Sequence, residues 1–234
     1  SFPTRRSSDL KEIAILPNPV DLSGFDRHEG ETVRRQLGIG PDDLVLVSIG
    51  RLGIEKNLGF MLEAFGLMTG MAPDLPLRLV LVGAGPEEAR LKELGAQLGF
   101  GDRLVMAGSV PYPTVPSYLA AADLFVMTSV SEVKPLVLLE AMAAGLPIVA
   151  VRASGALDTV IDGQEGILTE LDREAFARAT VDLLADRERR QAMNERARAT
   201  VGKYSLEKVA GQLLEVYEAA LAARRRSICD VSRI

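Results

Sequence analysis

The stretch Leu44-Val45-Leu46-Val47-Ser48-Ile49-Gly50-Arg51-Leu52-Gly53-Ile54-Glu55-Lys56-Asn57 decides the fold. Its first six residues are a continuous apolar run of strand length. A loop comes next, and from Asn57 to Met68 apolar residues recur at helical spacing, with Asn57 at the N-cap position. Leu77–Val82 is a second apolar strand, ended by Gly83-Ala84-Gly85-Pro86. Glu87–Leu98 is then a helix, with Pro86 suited to its first turn and Gly99 to its stop. Leu104–Ala107, Leu124–Thr128 and Ile148–Val151 are further strands, and Gly166–Thr169 is a sixth candidate. Between them lie helices over Val115–Ala121 and Leu136–Ala144, the latter closed by Gly145. Arg173–Leu184 and Arg187 to Arg226 are helical, broken near Gly202–Ser205. Strands that are apolar throughout and alternate with helices predict an α/β fold. Its sheet is parallel and doubly wound, Rossmann-like, and covered on both faces.

Upstream of Leu44 the pattern is less regular. Glu12–Leu16 is a short apolar strand, and Pro17-Asn18-Pro19 and Asp21–Phe25 are rich in turn residues. Glu31–Leu37 is one short helix, and Pro41-Asp42-Asp43 is a turn. Residues 1–10 look foreign to the rest of the chain and are expected to be an artefact or scar. The expected organisation is a connecting stretch over 11–42, a Rossmann-like domain over 43–203, and a C-terminal helix and tail over 204–234.

Composition narrows the function classes. The 234 residues are 47% hydrophobic and 25% charged, with formal net charge −5. That balance disfavours a nucleic-acid partner, which needs a net basic face. His28 is the single histidine, so a Ser-His-Asp triad or a multi-histidine metal site is disfavoured. Cys229 is the single cysteine; it excludes an internal disulfide and suits a cytoplasmic location. The most apolar run, Leu136–Val151, is interrupted by Glu140 and Pro147 and is too short for a spanning helix.

Ligands of such sheets bind where strands feed helices. In the first such loop Arg51 leaves the strand and Lys56 stands at the mouth of the next helix. Two cations beside a helix N-terminus suit an anion, although exposed Lys and Arg are also ordinary. The Gly83 loop lacks the third glycine of a dinucleotide fingerprint, with Glu88 in its place, and a tight turn is the plainer account. In Ser131-Glu132-Val133-Lys134-Pro135, Glu132 lies at the strand end. Glu140 lies within the next helix, among apolar neighbours. A carboxylate there needs donors, either ligand hydroxyls or a buried Arg or Lys.

At these residues the chain resembles the retaining GT-B glycosyltransferases, in particular glycosyltransferase family 4. Gly50-Arg51-Leu52…Glu55-Lys56-Asn57 is similar to the family's first loop. Glu132…Glu140-Ala141-Met142-Ala143-Ala144-Gly145-Leu146-Pro147 is similar to its E-x7-E motif and the run after it. Val82-Gly83-Ala84-Gly85-Pro86, Val105-Met106-Ala107-Gly108, Asp162-Gly163-Gln164-Glu165-Gly166 and Pro17-Asn18-Pro19-Val20-Asp21 match as well, so the resemblance covers roughly residues 12–220.

The resemblance implies the C-terminal, donor-binding half of a GT-B enzyme. Such an enzyme transfers a hexose from a nucleoside diphosphate sugar, UDP among the candidates, to an acceptor hydroxyl with retention. It implies that Gly50, Arg51 and Lys56 hold the diphosphate, with Glu132 on the donor sugar and Glu140 on the ribose. Gly83 falls in the donor-side loop. The main chain at Gly108–Val110 would face the base, and the N–H groups of Leu136 and Val137 the phosphate. Arg51, Lys56 and Glu132 are the catalytic candidates. No Asp-x-Asp is present, so neither metal nor other cofactor is expected.

Two departures stand out. Where the family often has Glu-Gly-Phe-Gly or Glu-Thr-Gln-Gly, this chain has Glu132-Val133-Lys134-Pro135. Pro135 has no N–H to give, and Lys134 is a candidate substitute contact. The second departure is length: the acceptor-binding N-terminal domain is missing, so the chain is expected to bind donor without turning it over. The alternatives are a non-catalytic nucleotide-sugar-binding module and, less favoured, an NAD-binding oxidoreductase domain. Arg224-Arg225-Arg226 suits either peripheral contact with acidic lipid at the inner membrane face or complementation of the helix dipole, the second being favoured.

Overall fold

The computed structural model describes residues 14–26 and 29–231. Among them six strands form one sheet: β1 Leu44–Ile49, β2 Leu77–Val82, β3 Leu104–Gly108, β4 Leu124–Met127, β5 Ile148–Val151 and β6 Gly166–Thr169. All pairings are parallel and the order is β3-β2-β1-β4-β5-β6. The helices are α1 Gly30–Gln36, α2 Leu58–Met71, α3 Glu88–Gln97, α4 Val115–Ala120, α5 Leu136–Ala144, α6 Ser154–Leu157, α7 Arg173–Ala185, α8 Arg187–Val201 and α9 Leu206–Val231.

The continuous apolar strands have a direct cause. Successive side chains point to opposite faces, and both faces are covered. Val45 and Val47 of β1, Phe125 of β4 and Ile148 of β5 enter a core shared with Leu119 of α4 and Leu138 and Met142 of α5. Leu46, Leu124, Val126 and Val149 enter a second core with Met61 and Phe65 of α2, Leu91 of α3 and Phe176 of α7. α8 serves both, through Ala197 and Val201 on one side and Met193 on the other.

Some local expectations change. Asn57 does not cap α2 with its side chain; it adopts the left-handed region, φ 52° and ψ 39°, at the end of the turn Ile54–Lys56. Asparagine tolerates this region better than most residues. No strand runs over Ala14–Leu16; the start of that expected strand lies outside the described residues. The single-turn helix α6 carries no periodic signal in the sequence. Residues 1–10, His28 and the side chains of Arg224–Arg226 and Cys229 lie outside the described residues, as do the expectations attached to them. No described helix is long and apolar enough to cross a membrane.

The stretch before β1 packs into the body. Val20, Val33 and Ile39 are buried, and Val20 bridges to Ser205. A Cβ on Gly30 would lie 2.4 Å from the Ala120 carbonyl oxygen, so α1 abuts the end of α4 backbone to backbone. Arg34 locks the contact. Its guanidinium donates to the carbonyls of Ala121 at 2.8 Å, Asp43 at 3.0 Å and Gly40 at 3.2 Å, and to Asp123 at 2.9 Å. The same Asp123 oxygen accepts the β1 amide of Val45. Arg34→Ala strands these acceptors and is expected to cost about 2–3 kcal/mol, read as a lower urea midpoint at unchanged slope.

Candidate functional site

Gly50 and Gly83 directly follow β1 and β2, Gly108 ends β3, and the three glycines form a row. Gly50 N–H donates to Val82 at 2.9 Å, and Gly83 N–H donates to Gly108 at 2.7 Å. Gly83 has φ 136°, and a Cβ there would sit 1.9 Å from the Gly50 carbonyl oxygen. No side chain fits. The close approach that Gly83 permits is thus to the neighbouring loop. Leu52 N–H to Ala84 at 3.0 Å ties the same two loops again.

The strand order reverses between β1 and β4, and there the loops after these two strands face one another. The Thr128 hydroxyl reaches the carbonyls of Lys56 at 3.0 Å and Asn57 at 3.1 Å. The Ser129 hydroxyl donates to Glu55 at 3.0 Å. This stitching carries the Lys56 ammonium to the Glu132 carboxylate, and the two form an ion pair. Arg51 stands more exposed and lies 3.5 Å from Glu55. Gly50, Arg51, Lys56, Thr128, Ser129 and Val137 help line a small cavity of about 20 Å³, room for about one water.

The Ser131–Pro135 loop is braced from α6. Ser154 donates its hydroxyl to the Glu132 carbonyl at 3.0 Å. A Cβ on Gly155 would lie 2.6 Å from that same oxygen. Pro135, with φ −71°, occupies the N-cap position of α5 without any side-chain cap. Leu136 and Val137 open that helix, whose positive dipole end faces the loop. Lys134 does not join Lys56. It lines a separate cavity of about 210 Å³ with Asn18, Pro135, Asp158 and Tyr204.

Glu140 also stands apart from Glu132. It is 6% exposed and flanked by buried Leu138, Leu139, Ala141 and Met142. Its partner is neither Arg nor Lys: the Tyr112 hydroxyl donates to its Oε1 at 2.9 Å. Burial raises the Glu140 pKa above the ordinary carboxylate value, and the bond from Tyr112 partly offsets this. The same bond raises the Tyr112 pKa, with burial and nearby carboxylates adding to it. Asp21, Phe25, Tyr112, Val115, Pro116 and Glu140 help line a cavity of about 330 Å³. Gly108, at φ 72°, begins the loop that leads to it, and Val110 packs partly buried against the first core.

The expected residues therefore divide between two principal places. Gly50, Arg51, Lys56, Glu132 and Val137 gather at the switch between β1 and β4, and Glu140 belongs to the larger cavity beside the β3–α4 loop. Sequence reasoning does not find Tyr112. The one signal for it is an aromatic held between Pro111 and Pro113 in a strand-to-helix loop. Among the described residues no group of three or more His, Cys, Asp or Glu side chains could hold a metal ion.

Comparison with known proteins agrees with this architecture. Residues 29–200 match the family model described as Glycosyl transferases group 1. Over 219 residues the chain is 34% identical to the D-inositol 3-phosphate glycosyltransferase of Corynebacterium urealyticum, covering 90% of this chain and 52% of that protein. The chain spans about half the length of the curated relatives it matches. It superposes on sucrose-phosphate synthase from Thermosynechococcus elongatus with TM-score 0.79 and 27% identity, over 90% of this chain and 53% of that one. Anabaena HepE in complex with UDP and glucose gives TM-score 0.77 at 24% identity, over 88% of this chain and 56% of that one, a likeness of fold. The sheet and its helices are the Rossmann-like half of a GT-B architecture, and the chain belongs to the group 1 glycosyl transferases.

Proposed function

We propose that this chain is the donor-binding half of a retaining hexosyltransferase of glycosyltransferase family 4. The observation that carries the proposal is the pairing of Lys56 with Glu132 across the switch between β1 and β4. A cation and a carboxylate held together there suit the two ends of a sugar diphosphate: Lys56 for phosphate and Glu132 for sugar hydroxyls. The Anabaena protein of similar fold, solved in complex with UDP and glucose, supports a UDP-sugar donor.

In this scheme Arg51 and Lys56 bind the diphosphate and stabilise the charge that grows as it leaves. The N–H groups of Leu136 and Val137 at the start of α5 add the helix dipole to the same task. Glu132 orients the sugar, Glu140 accepts hydrogen bonds from the ribose, and the backbone from Gly108 to Val110 faces the base. The two basic side chains take the electrostatic role that a divalent cation plays elsewhere, so the reaction proceeds without metal. Lys134, set apart in the cavity with Asn18 and Tyr204, is left out of the diphosphate site. The acceptor is bound by a second domain that supplies the other half of the length seen in relatives.

Arg51→Ala and Lys56→Ala are each expected to weaken UDP binding about tenfold or more, the worth of one charge-assisted contact. Calorimetry on the 234-residue chain reads this, and the wild-type affinity is expected to be unchanged in excess EDTA. Preferential binding of NADH would contradict the donor assignment.

Incubated alone with UDP-sugar and acceptor alcohols, the chain is expected to give no glycoside product. Measurable transfer would overturn the requirement for a second domain.

Glu140 should also shape stability. Its folded pKa is raised, so the folded state holds its proton more tightly than the unfolded chain does. Stability then falls as pH rises from the ordinary carboxyl value of 4.5 through the folded pKa, and the loss is complete above it. Glu140→Gln lacks this loss. Its stability relative to wild type should therefore grow as pH rises above about 4.5, while UDP affinity falls about tenfold. Parallel stability curves for the two proteins would count against the raised pKa.

A further inference from the structure

Tyr112 is held in place from both directions. It begins the short 3₁₀ turn Tyr112–Thr114 between β3 and α4. Prolines 111 and 113 restrict the backbone on either side of it. The Pro111 carbonyl accepts both the Thr114 amide at 2.9 Å and the Thr114 hydroxyl at 2.7 Å, closing the turn twice. The residue is 67% exposed, yet its hydroxyl is committed to Glu140. The ring therefore stands as one wall of the 330 Å³ cavity, and its polar end reaches the carboxylate.

The chemistry of this cavity differs from that at Lys56. Its other lining residues include Asp21, Ser23, Phe25, Val115 and Pro116. Among the described residues it has acidic, hydroxyl and apolar side chains and no basic one. Such a lining suits a neutral, hydroxyl-bearing group such as a nucleoside, and disfavours phosphate. Its size falls within the range of small-ligand sites. Among the described residues Tyr112 is the one donor to the Glu140 carboxylate. A carboxylate offers about four acceptor positions, so one bond to Oε1 leaves the rest for a ligand.

We infer that Tyr112 is a positioning residue for ribose recognition: its hydroxyl anchors Glu140 Oε1 so that the remaining acceptor positions meet the ribose hydroxyls. This rests on the proposed role of Glu140. A protonated Glu140 would offer a donor where acceptors are needed. Burial pushes it toward that form, and the bond from Tyr112 pushes back toward the carboxylate.

Tyr112→Phe removes the hydroxyl and keeps the ring. The probes are UDP and 2′-deoxy-UDP, titrated calorimetrically into the 234-residue chain and its variant. Wild type is expected to prefer UDP by about tenfold. The variant should lose about fivefold on UDP and change less than about twofold on 2′-deoxy-UDP, so that discrimination collapses. An unchanged UDP affinity, or an equal loss on both nucleotides, would overturn the role of Tyr112 while leaving Glu140 on the ribose. Wild-type protein that binds both nucleotides equally would instead overturn the ribose role of Glu140, and the role of Tyr112 with it.

Discussion

One buried hydroxyl organises the loops at the strand ends. Thr128, at the end of β4 and 1% exposed, bonds to the carbonyls of both Lys56 and Asn57. Those carbonyls point at it because Asn57 turns into the left-handed region, ending one turn and starting α2. The bond joins two loops that the strand order sets side by side but otherwise leaves free to diverge. Ser129 repeats the tie one residue on. With the loops joined, the Lys56 ammonium and the Glu132 carboxylate meet across the switch point. The β1–β2 side is fixed differently, by the Gly50 and Leu52 carbonyls packed against Gly83 and Gly85, where no Cβ could fit.

Charge is sorted between the two cavities. The cations Arg51 and Lys56 stand at the strand-end cavity, whereas Glu140 and Asp21 line the larger one. A sugar nucleotide has the same polarity along its length: an anionic diphosphate joined to a neutral nucleoside. This sorting carries a cost in stability. Glu140 sits among apolar side chains of α5 with one phenolic donor, and burial disfavours its charged form. The proposed ribose role gives such a residue, held against its own solvation preference, a function that the helix alone does not supply.

The sequence by itself determined the six strands of the sheet and the longer helices that cover it, though not the single turn α6. Strands apolar on both faces require covering on both faces, and the alternation with helices permits little except a parallel doubly wound sheet. It also placed Arg51 and Glu132 at strand ends, Lys56 at a helix start and Glu140 within a helix, because those positions depend on local spacing. It was silent on partners distant in the chain. Tyr112 and Glu140 are 28 residues apart, and Lys56 and Glu132 are 76 apart. Neither pairing leaves a periodic trace. That α1 and Arg34 belong to the packed body, rather than to a loose connection, was equally hidden: Arg34 finds Asp123 across 89 residues. Only the tertiary structure decided that the two glutamates of one motif take different partners, Glu132 the Lys56 ammonium and Glu140 the Tyr112 hydroxyl. Seven intervening residues set their separation along the chain, whereas the bracing of Glu132 by α6 and the anchoring of Glu140 by Tyr112 set where each one faces.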